Sequence, residues 1–142
     1  DNTKAAQLYK KAVVHGNHCD MHNLAVMYYE GDGVEKNITR SIDLLTKAAE
    51  YGLPQSQLAL ATFYDNGIGV NRDIRKAVNL YREASDNGVP EAQFYLALKY
   101  YNGEGVEKNR SKAEELFKKA SMLKEVNSTV NYCRTTIESK DP

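Results

Sequence analysis

Three histidines and one cysteine lie within eight residues near the start of the chain: His15, His18, Cys19 and His22. His18 and His22 are four residues apart, so they would share one face of a helix, and Cys19 is three residues from His22. Imidazole and thiolate are ligands that Zn²⁺ prefers, which makes His18, Cys19 and His22 the candidates for a metal site. The cluster lacks the flanking pairs of a zinc finger and the glutamate of a metalloprotease. We therefore expect no metal and no other cofactor.

Two further patterns suggest chemistry only weakly. Ser121-Met122-Leu123-Lys124 matches the Ser-x-x-Lys pattern of penicillin-interacting enzymes, but its companion motifs are absent. The Gly-x-Gly sequences that begin at Gly31, Gly67 and Gly103 follow helical rather than strand patterns and lack the third glycine of a dinucleotide fingerprint. We therefore expect no catalytic residue and no enzymatic activity. A metal-binding or hydrolytic protein is the alternative to a binding protein.

Composition narrows the class of partner. The 142 residues include 19 Lys plus Arg and 19 Asp plus Glu, so the net charge is zero. The chain therefore lacks the excess of basic residues that nucleic-acid binding needs. No apolar run approaches the roughly 18 residues of a membrane span. The chain has no initiator Met and opens inside a helical pattern, so we expect a fragment of a longer protein. Cytoplasmic and secretory or periplasmic locations both stay open.

The elements that must position these residues repeat every 36 residues. A Gly-x-Gly-Val loop occurs three times at this offset, ending at Val34, Val70 and Val106. Five further columns hold the same residue type at the same offset: Leu8, Leu44, Leu80 and Leu116; Ala12, Ala48, Ala84 and Ala120; Leu24, Leu60 and Leu96; Ala25, Ala61 and Ala97; and Tyr28, Tyr64 and Tyr100. One offset shared by so many columns indicates stacked units of identical length.

Each period contains two helical patterns. In the first, Gln57, Leu60, Ala61 and Tyr64 recur at the spacing of one helix face. Pro54 and Pro90 suit the first turn of these helices, and Gly67 and Gly103 suit their ends. The second pattern carries Ala77, Leu80, Tyr81 and Ala84, with Asn37, Asp73 and Asn109 as N-caps and Gly52 and Gly88 as terminators. No strand pattern occurs, so the sequence predicts an all-α protein built of helical hairpins.

These residues resemble the Sel-one-like repeat family, which is related to the tetratricopeptide repeats. The family pattern of two helices joined by Gly-x-Gly-Val is carried by Ala92 to Val106 and then Ala113 to Ala120, and by the two earlier copies. Ala25, Ala61 and Ala97 replace the small glycine of the family, and Lys124 replaces the glycine that ends the second helix. The resemblance implies an adaptor or scaffold that binds peptides or protein domains. A structural spacer within a larger protein is a further alternative.

The resemblance also implies an arrangement for the whole chain. We expect residues 1–142 to form a single domain, a right-handed α-α superhelix, or solenoid. It would consist of the second helix of a partial repeat (3–16), repeats at about 18–52, 54–88 and 90–124, and a terminal helix at about 125–139. Cys19 and Cys133 would then lie about three repeats apart and form no disulfide.

In tetratricopeptide-like stacks the first helices line the concave side, so their faces opposite the core are where a partner would bind. Helical spacing predicts which residues these are: His22, Val26 and Tyr29 in the first copy; Leu58, Thr62 and Asp65 in the second; and Phe94, Leu98 and Tyr101 in the third. The third set is the most apolar and aromatic, as contact surfaces often are. The alternative is that these side chains pack against a neighbouring helix.

Overall fold

The computed structural model describes residues 2–14 and 16–126. These residues form seven helices: α1 (Asn2–Val14), α2 (His18–Glu30), α3 (Ile38–Glu50), α4 (Pro54–Asn66), α5 (Ile74–Asp86), α6 (Pro90–Asn102) and α7 (Arg110–Val126). No strand occurs in this part of the chain, and the predicted all-α class built of helical hairpins is confirmed. The terminal helix predicted at about 125–139 and Cys133 lie outside the described residues, apart from the end of α7. No helix in the described ranges is long and apolar enough to cross a membrane.

The helices belong to two compact units, one ending at Ser56 and the other beginning at Gln57. In the first unit, Leu24 and Ala25 of α2 are buried together with Leu45 and Ala48 of α3. The second unit has a core formed by α4 to α7, whose members include Ala61, Val78, Tyr81, Leu96, Ala97, Tyr100, Ala113 and Leu116. The alanine column thus lies where helices pack closely, and the larger side chains fill the remaining space.

The loop inside each hairpin is held by the same backbone and side-chain bonds. The tyrosine near the end of the first helix accepts, through its carbonyl oxygen, a 2.9 Å hydrogen bond from the N-cap of the second helix. The N-cap side chain in turn accepts a bond from the backbone N–H three residues later, at 3.0–3.1 Å. The N-caps are Asn37, Asp73 and Asn109, as predicted. Since every donor and acceptor belongs to one hairpin, each loop is closed locally.

A cation lies over each of the same tyrosine rings. The charged groups of Arg40, Lys76 and Lys112 lie 5.7, 4.5 and 5.0 Å from the ring centroids of Tyr28, Tyr64 and Tyr100. Each cation comes from the first turn of the second helix, so the contact also stays within one hairpin.

The second glycine of the Gly-x-Gly-Val loop allows a close approach between this loop and a helix of the preceding hairpin. A Cβ atom on Gly105 would lie 2.6 Å from Cγ2 of Ile74 and 3.1 Å from Cγ2 of Val78, both on α5. Gly105 also has φ +71°, which side-chain-bearing residues rarely adopt. The motif therefore uses this glycine for packing between hairpins.

One leucine of the repeated column differs from the expected core position. Leu44 and Leu116 are buried, whereas Leu8 is 65% exposed. In the hairpins this column packs against the first helix of the same hairpin, as α6 and α7 do around Leu116. Among the described residues, α1 has no first helix of its own hairpin to pack against. Leu8 is therefore exposed although it occupies the same repeat position as the buried leucines.

Helix α7 is longer than the others, with 17 residues against 13 in α5. Gly88 follows α5 with φ +86°, and the 36-residue register puts Lys124 at the equivalent position of α7. Because a lysine is strained at such a φ, the helix continues through this position to Val126.

Candidate functional site

The predicted contact residues of the third copy lie on one exposed face of α6. Phe94 is 47% and Tyr101 is 45% exposed, while Leu98 between them is half-buried. Tyr95, which the sequence reasoning missed, adds a ring that is 39% exposed. We call Phe94, Tyr95, Leu98 and Tyr101 the α6 strip. Other residues of α6, such as Ala92, Leu96 and Ala97, are buried, so the strip is the apolar part of the helix that reaches solvent.

The rings of the α6 strip are held by neighbouring aromatic residues. Phe94 packs edge-on against Phe117 of α7 with 5.6 Å between ring centroids, and against Tyr95 at 5.9 Å. Tyr95 stacks on Tyr81 of α5 at 5.4 Å. Packing against a neighbouring helix, the alternative considered for Phe94, is thus observed, yet nearly half of the side chain stays exposed. The strip is therefore pre-ordered, and its side chains would lose little conformational entropy when a ligand binds.

The guanidinium of Arg110 caps the end of the α6 strip, 5.2 Å from the ring centroid of Tyr101. A cation on one face of the ring leaves the other available for contact.

Asp65, a predicted contact residue of the second copy, is instead bonded inside its unit. Its Oδ1 accepts a 2.8 Å salt bridge from Nζ of Lys99, and its Oδ2 accepts a 3.2 Å hydrogen bond from the Tyr81 hydroxyl. Lys99 also lies 3.1 Å from Oε2 of Glu104. Burial and the Asp65 carboxylate raise the pKa of Tyr81, which keeps this hydroxyl protonated as a donor. Asp65 thus links α4 to α5 and α6.

The other two predicted residues of the second copy are half-buried. Leu58 packs against the core of the second unit. The hydroxyl of Thr62 donates to the backbone carbonyl of Ala59 at 2.7 Å, which leaves its methyl group to the surface. This copy therefore offers less exposed apolar area than the α6 strip.

In the first unit, Val26 and Tyr29 are exposed at 38% and 37%, and His22 is half-buried. Nδ1 of His22 lies 2.8 Å from the Ser56 hydroxyl, and burial lowers the pKa of the imidazole. The ammonium of Lys36 lies 6.0 Å from the ring centroid of Tyr29.

Two of the candidate metal ligands, His18 and His22, make contacts with other side chains. The ring of His18 stacks on Tyr51 with 3.7 Å between centroids, while His22 is bonded to Ser56. Within the part of the chain that the structure describes, no three His, Cys, Asp or Glu side chains are arranged to hold a metal ion. Ser121 lies exposed on α7.

Taken together, these features define a class: an α-helical repeat protein whose core is shared between hairpins and whose first helices carry exposed side chains. Within that class, the Sel1 repeat model matches residues 1–16, 20–52, 54–89 and 90–124. The chain therefore belongs to the Sel1 repeat family, and the resemblance deduced from the sequence is confirmed. Proteins with this repeat generally serve as scaffolds for protein–protein interactions.

Solved structures of Sel1 repeat proteins have the same fold. A Sel1 repeat protein from Oxalobacter formigenes is 31% identical with a TM-score of 0.82, and the match covers 87% of this chain and 50% of that one. A protective antigen of uropathogenic Escherichia coli strains is 33% identical with a TM-score of 0.79, covering 85% of this chain and 26% of that one. Cysteine rich protein B of Helicobacter pylori is 29% identical with a TM-score of 0.66, covering 83% and 90%. No curated protein matches the chain.

The chain thus spans about half the length of the Oxalobacter protein and about a quarter of the Escherichia coli antigen.

Proposed function

We propose that this chain is a protein-interaction module, which binds a peptide or a domain of another protein through the outward face of its first helices. The α6 strip is the proposed site in the second unit, with Leu58 and Thr62 as secondary contact residues. Val26 and Tyr29 are proposed as contact residues of the first unit by itself. On this proposal the chain binds rather than catalyses, and its partner is neither a nucleic acid nor a cofactor.

One observation carries the proposal: three aromatic rings and a leucine share one face of α6 and keep solvent exposure in a folded, closely packed unit. Aromatic side chains are enriched among the residues that dominate binding energies. The rings are also fixed by Tyr81 and Phe117, so they present a defined shape. Asp65 has a supporting role, because both of its carboxylate oxygens are already bonded.

The test replaces the two most exposed rings. Phe94→Ala/Tyr101→Ala is compared with wild type and with Met122→Ala, which removes an apolar side chain 72% exposed on α7, outside the strip. Proteins captured by each immobilised chain are quantified by mass spectrometry, and each candidate is then titrated as a purified protein. Loss of about 2 kcal/mol of binding free energy for the double variant is expected, since buried aromatic anchors contribute about that much.

Circular dichroism provides the folding control for these variants. The proposal fails if every purified partner binds the folded double variant as tightly as it binds wild type and Met122→Ala.

A further inference from the structure

Two cations lie beside one tyrosine side chain in the second unit. The guanidinium of Arg82, on α5, donates from Nη2 to the Tyr100 hydroxyl oxygen at 3.2 Å. The ammonium of Lys112, on α7, lies 5.0 Å from the ring centroid of the same tyrosine. We call Arg82, Tyr100 and Lys112 the triple-donor cluster, because each of the three side chains has a proton to donate.

The charge of this cluster is not neutralised by the described residues. The salt bridges among the described residues involve Lys99, and the nearby carboxylates Glu83, Asp86 and Glu115 are exposed and make no ion pair with Arg82 or Lys112. Arg82 has one other partner, the side-chain oxygen of Asn79 at 3.3 Å, which is uncharged. Two positive groups around one neutral oxygen repel each other unless an anion joins them.

The hydrogen bonds of Tyr100 point to the same conclusion. Its oxygen accepts from Arg82, and the hydroxyl proton has no acceptor among the described residues. An oxyanion at this position would receive that proton's hydrogen bond together with charge-assisted bonds from Arg82 and Lys112. Burial acts to raise the pKa of Tyr100, but Arg82 and Lys112 outweigh it and lower the pKa, so the local field favours negative charge.

The hydrogen bond from a second cation to the tyrosine hydroxyl distinguishes this copy of the repeat from the others. The other tyrosines of the column, Tyr28 and Tyr64, also have one cation over the ring, from Arg40 and Lys76. The position equivalent to Arg82 is occupied by the uncharged Thr46 in the copy of Tyr64 and by Lys10 in the copy of Tyr28. Among the described residues neither of these side chains hydrogen-bonds the tyrosine hydroxyl of its copy, whereas Arg82 does.

We propose that the triple-donor cluster is an anion-binding site for a phosphate group, held by Arg82 and Lys112 with Tyr100 as the third donor. The phosphate group could come from two sources, inorganic phosphate or a small phosphate ester on the one hand, and a phosphorylated side chain of a partner protein on the other. Arg presents a planar pair of donors suited to phosphate oxygens. The site is separate from the α6 strip, and its existence does not depend on the proposed function.

The test titrates inorganic phosphate into the protein by calorimetry at constant ionic strength in chloride. Arg82→Gln/Lys112→Gln should weaken phosphate binding at least about tenfold, because two charge-assisted bonds are lost. The matched control is Arg75→Gln/Lys76→Gln, which removes the same charge from α5 beside Tyr64. We expect the control to bind phosphate within about twofold of wild type, since the two cations of the cluster remain.

Tyr100→Phe is a second variant that keeps both cations and the ring, and it should weaken phosphate binding several-fold. Circular dichroism checks that each variant is folded. The proposal is overturned if phosphate does not bind wild type, or if it binds equally well to wild type, Tyr100→Phe and the Arg82/Lys112 variant.

A competition arm identifies the source of the phosphate. Displacement of bound phosphate by a phosphoserine peptide, but not by the same peptide with serine, assigns the site to a modified partner. Phosphate binding without such displacement assigns the site to free phosphate or a small ester.

Discussion

At the scale of single residues, burial determines the behaviour of His22. Its Nδ1 is bonded to the Ser56 hydroxyl, and burial lowers the pKa of the ring. The folded protein therefore favours the neutral imidazole, while the unfolded chain titrates at about 6.5. This difference contributes stability that is fully present above about pH 6.5 and is lost as pH falls through the lower, folded-state pKa.

His22→Asn tests this linkage, because asparagine keeps a hydrogen-bonding group without titrating. Between about pH 7.5 and about pH 5.5 the free energy of unfolding should fall more for wild type than for the variant. Urea denaturation at both pH values measures the difference. An equal fall in the two proteins would mean that protonation of His22 is not linked to folding.

The residues of the candidate site differ in how far the sequence predicts them. Phe94, Leu98 and Tyr101 follow from helical spacing, because the opposite face is identified by the repeated Leu96, Ala97 and Tyr100. Tyr95 was missed since it lies at the edge of that face, at the position of Asn23 and Ala59 in the other copies. Its exposure depends on Tyr81, a contact between hairpins that helical spacing does not predict.

At the scale of helices, the salt bridge between Asp65 and Lys99 links α4 to α6. Side-chain exposure is 14% for Asp65 and 11% for Lys99, so both charges are largely removed from water. The repeat columns carried a signal for this pair: Met27 and Phe63 occupy the column of Lys99, and Tyr29 and Tyr101 occupy that of Asp65. The two positions thus carry opposite charges in these copies, where the other copies have apolar or aromatic residues.

Breaking this pair on one side should be costly. Lys99→Met, which restores the residue type of Met27, should lower the free energy of unfolding by about 3 kcal/mol, because it leaves the buried Asp65 carboxylate without its cation. Asp65→Asn should cost less, because Lys99 keeps its salt bridge to Glu104. The double variant should lose less than the sum of the two, since it buries neither charge. Chemical denaturation of the four proteins measures the coupling, and strictly additive losses would contradict it.

The sequence predicted the helix boundaries more accurately than it predicted the burial of individual side chains. Prolines, N-cap residues and glycines mark the helix ends because each satisfies or avoids a backbone bond within a few residues. The exposure of Leu8 was not predictable in this way, because it depends on which helix lies against α1. The extension of α7 was signalled by Lys124, the residue that replaces a turn glycine.

At the scale of the whole molecule, the chain contains two compact units, each with its own buried residues. Repeat proteins are stabilised mainly by contacts within a repeat and with its neighbours. A destabilising substitution in one core should therefore loosen mainly the helices near it.

Leu96→Ala, at a core position of the second unit that is 3% exposed, creates a cavity there. We expect a loss of about 2–5 kcal/mol and faster amide hydrogen exchange in α5, α6 and α7 than in α2 and α3. Leu45→Ala, at a position 2% exposed in the first unit, is the matched variant. It should accelerate amide exchange more in α2 and α3 than in α5, α6 and α7. Hydrogen exchange followed by mass spectrometry measures both. Uniform acceleration along the chain in both variants would indicate a single cooperative unit.

The self-contained loops of the hairpins bear on how such a chain lengthens or shortens during evolution. The backbone bond from Asp73 to Tyr64 and the cation of Lys76 over the same ring join groups of one hairpin only. A duplication or deletion of one whole 36-residue block would keep all of these loop contacts. A junction in the middle of a helix would instead separate residues that belong to one hairpin. Natural variation in block number, and the grafting of a block from one relative into another, should therefore be tolerated best when the junctions lie at Gly52 and Gly88.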